Sequence, residues 1–227
     1  MKMPAAGGPP AGARRFISTA LAHINDGWVV PDPDRTMDAS SSTTPHHAGR
    51  TAQAPQSVAL IGMMGAGKTS IGQRLARALD LPFRDADREI EKAAGTTIAN
   101  IFAEVGEAAF RHSERQVIQR LLDGRPQVLA LGGGAFVDPT TRALVRERAL
   151  SIWLRADLDV LVRRTARRDD RPLLAGGDPR ARLAALLEQR APIYAQADLV
   201  VDSGKGSIGD VVARTLEALA MTSERAS

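Results

Sequence analysis

The chain has 227 residues, of which 44% are hydrophobic, 25% charged and 4% aromatic, with a net charge of +4 and no cysteine. That length suits one domain with a tail, and the apolar share is ample for a buried core. The composition excludes a disulfide framework and a thiolate zinc site, and no run approaches the roughly 18 apolar residues of a membrane-spanning helix.

Only four of the 30 basic residues are Lys (Lys2, Lys68, Lys92 and Lys205), so the high isoelectric point reflects Arg. No basic run is interleaved with aromatics, and no nucleic-acid partner is expected. The lack of cysteine suits a reducing cytoplasm, where the chain is placed.

Residues 1–55 hold Gly and Pro clusters and then "DASSSTTPHHAGRTAQAPQ", with no sustained hydrophobic period. Such a segment buries too little apolar surface to offset its ordering entropy, so it is expected to be a disordered extension, with at most a short helix over 14–30. "RRFISTALAHINDGW" superficially resembles a twin-Arg export signal. Its apolar part is short and ends at Asn25 and Asp26, which argues against export. Asp32, Asp34 and Asp38 argue against a mitochondrial transit peptide.

The ordered domain is expected over 56–227. "SVALIG" (57–62) is a short β-rich apolar run, suited to a strand covered on both faces. Ile71, Leu75, Ala78 and Leu79 then recur at helical spacing. Further strands are predicted near 81–83 and at 127–131, 150–154 and 198–201. Helical patterns lie between them, with caps at Asp138 before Pro139, at Asp178 before Pro179, and at Ser207 with Asp210 three residues on. Alternating strands and helices predict a parallel sheet flanked by helices.

"GMMGAGKTS" (62–70) satisfies G-x-x-x-x-G-K-[ST], with a strand before it and a helix after it. Glycines let backbone N–H groups turn inward around phosphate, and the helix start adds its positive dipole end. Lys68 then reaches the outer phosphates, and the Thr69 hydroxyl is placed to ligate Mg²⁺. The loop alone leaves a small-molecule kinase, a GTPase switch or an ATP-driven motor. No lysine follows an asparagine, so the guanine reader Asn-Lys-x-Asp is missing, and neither "QVLALGGG" nor "LSIWLRAD" ends in the Asp-Glu of a motor. A small kinase remains.

"FRDADREIE" puts Asp85 and Asp87 two apart at the predicted end of a strand, where both would point toward the carboxyl edge of the sheet. One would hold the metal through water and the other would accept from a substrate hydroxyl. The alternative is an N-cap and a surface charge ahead of a helix over 88–93. In "IANIFAEVGEAAFRHSE", Gly106 is expected to break the helix, and Arg111 and Glu114 neighbour each other at i, i+3. The pair is either an exposed ion pair or an Arg fork held by Glu114 for a carboxylate ligand. Gly132, Gly133 and Gly134 close the third strand and permit close approach, or form an ordinary turn. Arg163, Arg164, Arg167, Arg168 and Arg171, framed by Pro172, Gly176 and Gly177, read as a lid over phosphates or as a solvated face.

In this order the stretches "GMMGAGKTSIG", "FRDAD", "IANIFAEVGEAAFRHSE", "LGGGAF", "RPLL" and "QRAPIYAQADLVVD" resemble the shikimate kinases over about residues 57–220. The resemblance implies a three-layer P-loop kinase fold with a five-stranded parallel sheet in 2-3-1-4-5 order and a mobile lid. It implies phosphorylation of the shikimate 3-hydroxyl by ATP with one Mg²⁺, on the way to chorismate and the aromatic amino acids; a monomer is expected. Carried over by position, it places ATP at Gly65, Ala66, Gly67, Lys68, Thr69, Ser70, Arg164 and Arg171; after "VVD" the chain departs from the family, with Lys205 standing in for an Arg that relatives often place near the adenine. Shikimate falls to Asp87, Arg111, Glu114, Gly132, Gly133, Gly134 and Arg190, with Thr69 and Asp85 at the metal. Asp87, Lys68 and Arg171 are then the catalytic groups. A gluconate kinase-like enzyme and a non-catalytic nucleotide-binding module are the alternatives.

Overall fold

In the computed structural model, residues 56–166 and 178–226 are described. The N-terminal extension, the expected helix over 14–30, and Arg167, Arg168, Arg171, Pro172, Gly176 and Gly177 lie outside the described residues. The first strand, β1 (Ser57–Ile61), is buried at every position, which is why its sequence is a continuous apolar run rather than an alternating one. Helix α1 (Lys68–Leu79) follows and buries Ile71, Gly72, Leu75 and Ala76. The predicted apolar stripe therefore shifts: Ala78 is exposed, and Gly72 lies so near Phe83 that a Cβ there would stand 2.4 Å from its ring.

Strand β2 is Phe83–Asp85, two residues later than predicted, because Leu81 N still donates to Ala76 O at the end of α1 and pairing with β3 begins only at Phe83. Helix α2 (Ala86–Ala94) starts at once. Asp87 therefore sits in the first turn of a helix rather than on an extended segment with Asp85. Helix α3 (Ile98–Asp123) is interrupted at Gly106, which has φ 80° and ψ 169°. Strand β3 (Val128–Ala130) leads through a 3₁₀ turn (Ala135–Val137) into α4 (Pro139–Arg148), where Asp138 caps Thr141 N at 2.8 Å. Strand β4 (Ala149–Arg155), α5 (Leu158–Thr165), α6 (Pro179–Tyr194), β5 (Leu199–Asp202) and α7 (Ile208–Ala226) complete the order. The predicted caps at Asp178 and at Ser207 with Asp210 are present. Asp198, predicted to open β5, instead accepts from Ser151 N and Oγ at 2.8 and 2.6 Å and ties β4 to the loop before β5.

The sheet is β2-β3-β1-β4-β5 and every pairing is parallel, as expected from the resemblance. Helices α1 and α7 pack together, α3 packs on α2 and α4, and α5 packs on α6. Register positions the site. Asp85 and Leu60 both align with Ala130, so the phosphate loop, Asp85 and the three-glycine turn all leave the sheet at one edge. Ligands bind at the carboxyl edge of open parallel sheets. Among the described residues, no helix is long and apolar enough to cross a membrane.

Candidate active site

The loop after β1 wraps back because its glycines take backbone angles that other residues avoid. Gly62, Gly65 and Gly67 have φ of 140°, 82° and 93°. At Gly62 a Cβ would also stand 2.7 Å from the Leu154 carbonyl oxygen, so a side chain is excluded twice over. Ala66 is fully buried and its N–H donates to Met63 O at 3.1 Å. Lys68 Nζ folds over the loop, donating to Gly62 O at 2.8 Å and Met63 O at 3.2 Å. Ser70 is exposed one residue beyond Thr69.

Thr69 Oγ1 donates to Asp85 Oδ2 at 2.8 Å. A hydroxyl and a carboxylate thus meet at the mouth of the loop. Mg²⁺ prefers oxygen and takes only one or two protein ligands alongside phosphates and water, so this donor set fits that ion. Arg164, on α5, donates to Gly65 O at 3.4 Å and to Ser203 O at 3.0 Å. It therefore bridges the phosphate loop to the segment after β5, and the stretch read as a lid begins within a helix. Lys205 is exposed, with Nζ 3.9 Å from Asp202 Oδ2.

Three carboxylates converge beside the loop: Asp85, Asp87 and Glu114. Burial pushes the Asp87 carboxyl up to about 6, and Asp85 adds repulsion, while Lys68 pulls the other way. Glu114 has only 2% of its side chain exposed and lies 2.6 Å from Arg111 Nη1. Burial lifts its carboxyl to about 7 against the pull of Arg111. Burial works against the charge on Arg111, but Glu114 and Glu107 outweigh it and hold the guanidinium above its ordinary value. Arg111 Nη2 also lies 3.2 Å from Glu107 Oε1. Its Cζ stands 5.9 Å from the Phe102 ring centroid and 5.3 Å from that of Phe110. The fork is thus held by two carboxylates and two aromatic rings.

The reason for three consecutive glycines becomes visible here. A Cβ on Gly132 would meet Asp87 Oδ1 at 2.5 Å and Glu114 Oε1 at 2.9 Å, and one on Gly134 would meet Arg111 Nη2 at 2.5 Å. A Cβ on Gly133 would stand 3.4 Å from Arg190 Nη1, and that nitrogen donates to Gly133 O at 3.0 Å. Four charged side chains press on a turn that has none of its own. Asp87, Arg111, Glu114, Arg190 and the three glycines, which the resemblance implied for one substrate, lie in one cluster beside Lys68, Thr69 and Asp85.

Two groups escaped the sequence reading. Tyr194 donates its hydroxyl to Gly133 O. The signal was its spacing of four from Arg190 in "RAPIY", which puts both on one helix face. Arg115 lies 3.0 Å from Asp138 and so ties α3 to the cap of the helix after the glycine turn. No spacing in the sequence marked that pair, whose members are 23 residues apart.

The model of the family described as shikimate kinase matches residues 64–220. The shikimate kinase of Paramagnetospirillum magneticum is 54% identical over 164 residues, covering 72% of this chain and 84% of its own. That of Caulobacter vibrioides is 56% identical over 149 residues, covering 66% and 74%. Among solved structures, shikimate kinase from Acinetobacter baumannii in complex with shikimate superposes with a TM-score of 0.71 at 34% identity, over 74% of this chain and 94% of that one. A gluconokinase from Sinorhizobium meliloti, at 21% identity and a TM-score of 0.54 over 75% and 95%, shares the fold alone. With a phosphate loop, a held arginine fork and a carboxylate at one sheet edge, and with these relatives, the chain belongs to the shikimate kinase family and is an enzyme that phosphorylates shikimate.

Proposed function

We propose that the enzyme transfers the γ-phosphoryl group of ATP to the 3-hydroxyl of shikimate through the residues gathered at this edge. One observation carries the assignment of roles: Asp87, the Arg111–Glu114 pair and Arg190 all meet at Gly132–Gly134, beside the phosphate loop. The two guanidiniums offer forked donors that match a substrate carboxylate, and Asp87 offers an acceptor to a ring hydroxyl.

In the reaction, the substrate oxygen forms a bond to the γ-phosphorus as the bond to the β–γ bridging oxygen breaks. ADP leaves with that oxygen, and the hydroxyl proton passes to Asp87. With a pKa of about 6, Asp87 is ionised at neutral pH yet basic enough to take that proton as it is released. Lys68 and the loop N–H groups hold the phosphates, and Arg171 is assigned to the charge that develops in transfer. Arg164, Lys205, Gly65, Ala66, Gly67 and Ser70 form the nucleotide end. Thr69 and Asp85 would hold Mg²⁺, which when bound neutralises charge on the transferring phosphates. The catalytic unit is residues 56–227, acting as a monomer in the cytoplasm.

ADP release measured with shikimate, gluconate or no acceptor tests the reading. Release that depends on shikimate is expected. Equal release with gluconate would establish the sugar-acid kinase alternative, and no release with any acceptor would establish a nucleotide-binding module.

A further inference from the structure

Tyr194 is the only tyrosine in the chain. Its side chain is 1% exposed and its ring lies against Trp153, with centroids 5.9 Å apart. The hydroxyl donates to Gly133 O, the same oxygen that receives Arg190 Nη1 at 3.0 Å. A carbonyl oxygen has two lone pairs, and here two donors from one helix face occupy them. Burial pushes the phenol above its ordinary range, so it remains a donor throughout the neutral pH range.

We propose that Tyr194 is a positioning residue for the acid substrate: together with Arg190 it pins the Gly133 carbonyl, and so fixes both the glycine turn and the guanidinium that faces the substrate. Arginine has five N–H donors in a rigid fork at the end of a flexible stem. One donor spent on Gly133 fixes the stem, and the others are left in a set direction. That removes rotamer freedom which substrate binding would otherwise have to restrict. A phenylalanine would keep the packing on Trp153 but leave Gly133 held by Arg190 alone. The turn and the fork would then be free to shift together.

This inference rests on the reading of Arg190 as a substrate contact, and the experiment separates the two. Steady-state kinetics are measured on the full chain for Tyr194→Phe, Arg190→Ala and the double variant. Loss of one buried hydrogen bond that acts on binding should raise KM for shikimate about tenfold. The kcat should stay within about threefold and KM for ATP within about twofold, since the phosphate loop is not involved. In the Arg190→Ala background the same change should add less than about twofold, because two positions that act through one another are not additive. A shikimate KM within about twofold of the parent, or an equal rise for both substrates, would overturn the proposal. An Arg190→Ala enzyme with normal shikimate KM would instead remove Arg190 from the substrate site. Should Tyr194→Phe be poorly stable, melting with and without ligand still decides, because a ligand at fixed concentration raises melting more the tighter it binds, with the logarithm of its affinity. Stabilisation by shikimate should shrink while that by ADP persists, and an equal loss of both would refute the role.

Discussion

Replacing Asp87 by Asn should cost most of the activity and make the unliganded fold more stable. The carboxyl titrates at about 6 instead of 3.8, chiefly because it is buried and secondly because Asp85 faces it. A raised carboxylate pKa means that the folded state binds the proton more tightly than the unfolded one. Stability is therefore lost as pH rises through the window from about 4 to about 6, and the deficit is complete above it. Two pKa units correspond to about 3 kcal/mol. By exposed area the residue as a whole is only half-buried, and solvent screening at that exposure trims the figure to about 1–2 kcal/mol. For a domain of this size each kcal/mol moves the melting temperature by about 2–4 °C. Without nucleotide or metal, Asp87→Asn should thus melt about 2–8 °C higher at pH 7.5, and the gain should fade toward pH 4. The same change removes the proton acceptor, and loss of a general base lowers kcat on the order of 10²–10⁴-fold. In the parent, kcat should fall as pH drops through about 6, where Asp87 becomes protonated. A variant that melts lower at pH 7.5, or a gain that ignores pH, would refute the electrostatic reasoning. A normal kcat would remove Asp87 from the base role.

Lys68→Ala should abolish transfer while leaving the fold intact, since Lys68 Nζ donates to two carbonyls of its own loop and the residue lies outside the buried core; circular dichroism with turnover checks it, and turnover within about tenfold of the parent would refute it. Gly132→Ala forces a methyl to within 2.5 Å of Asp87 Oδ1 and 2.9 Å of Glu114 Oε1. It should weaken shikimate binding by more than about tenfold in calorimetry, while ADP binding stays near the parent value. Arg171→Ala should lower kcat more than it raises KM for shikimate, because its partner charge develops only during transfer; an unchanged kcat would remove it from that role.

The phosphate loop was legible because covalent spacing alone defines it: three glycines, a lysine and a threonine act within nine residues, and the flanking strand and helix follow from local periodicity. The caps at Asp138, Asp178 and Ser207 were legible for the same reason, since a cap spans at most three residues. The sheet order followed from the resemblance, not from pattern. Where local reading failed, a distant partner had decided. Asp87 was read as extended, but α2 begins at Ala86. Strand β2 starts at Phe83, where pairing with Val128 in β3 begins.

What belongs to the sequence by itself is the nucleotide end, the strand and helix alternation and, through the resemblance, the roll of site residues. What only the tertiary structure decided is which of them touch and through which atoms. Gly133 meets Arg190 and Tyr194 across 57 and 61 residues of chain, and Gly132 is glycine because Asp87 and Glu114 occupy the space of its side chain. No periodicity encodes such contacts. They arise because parallel strands joined by helical crossovers bring the ends of β1, β2 and β3 to one edge, where charges far apart in sequence share a low-dielectric corner and shift one another's proton affinity.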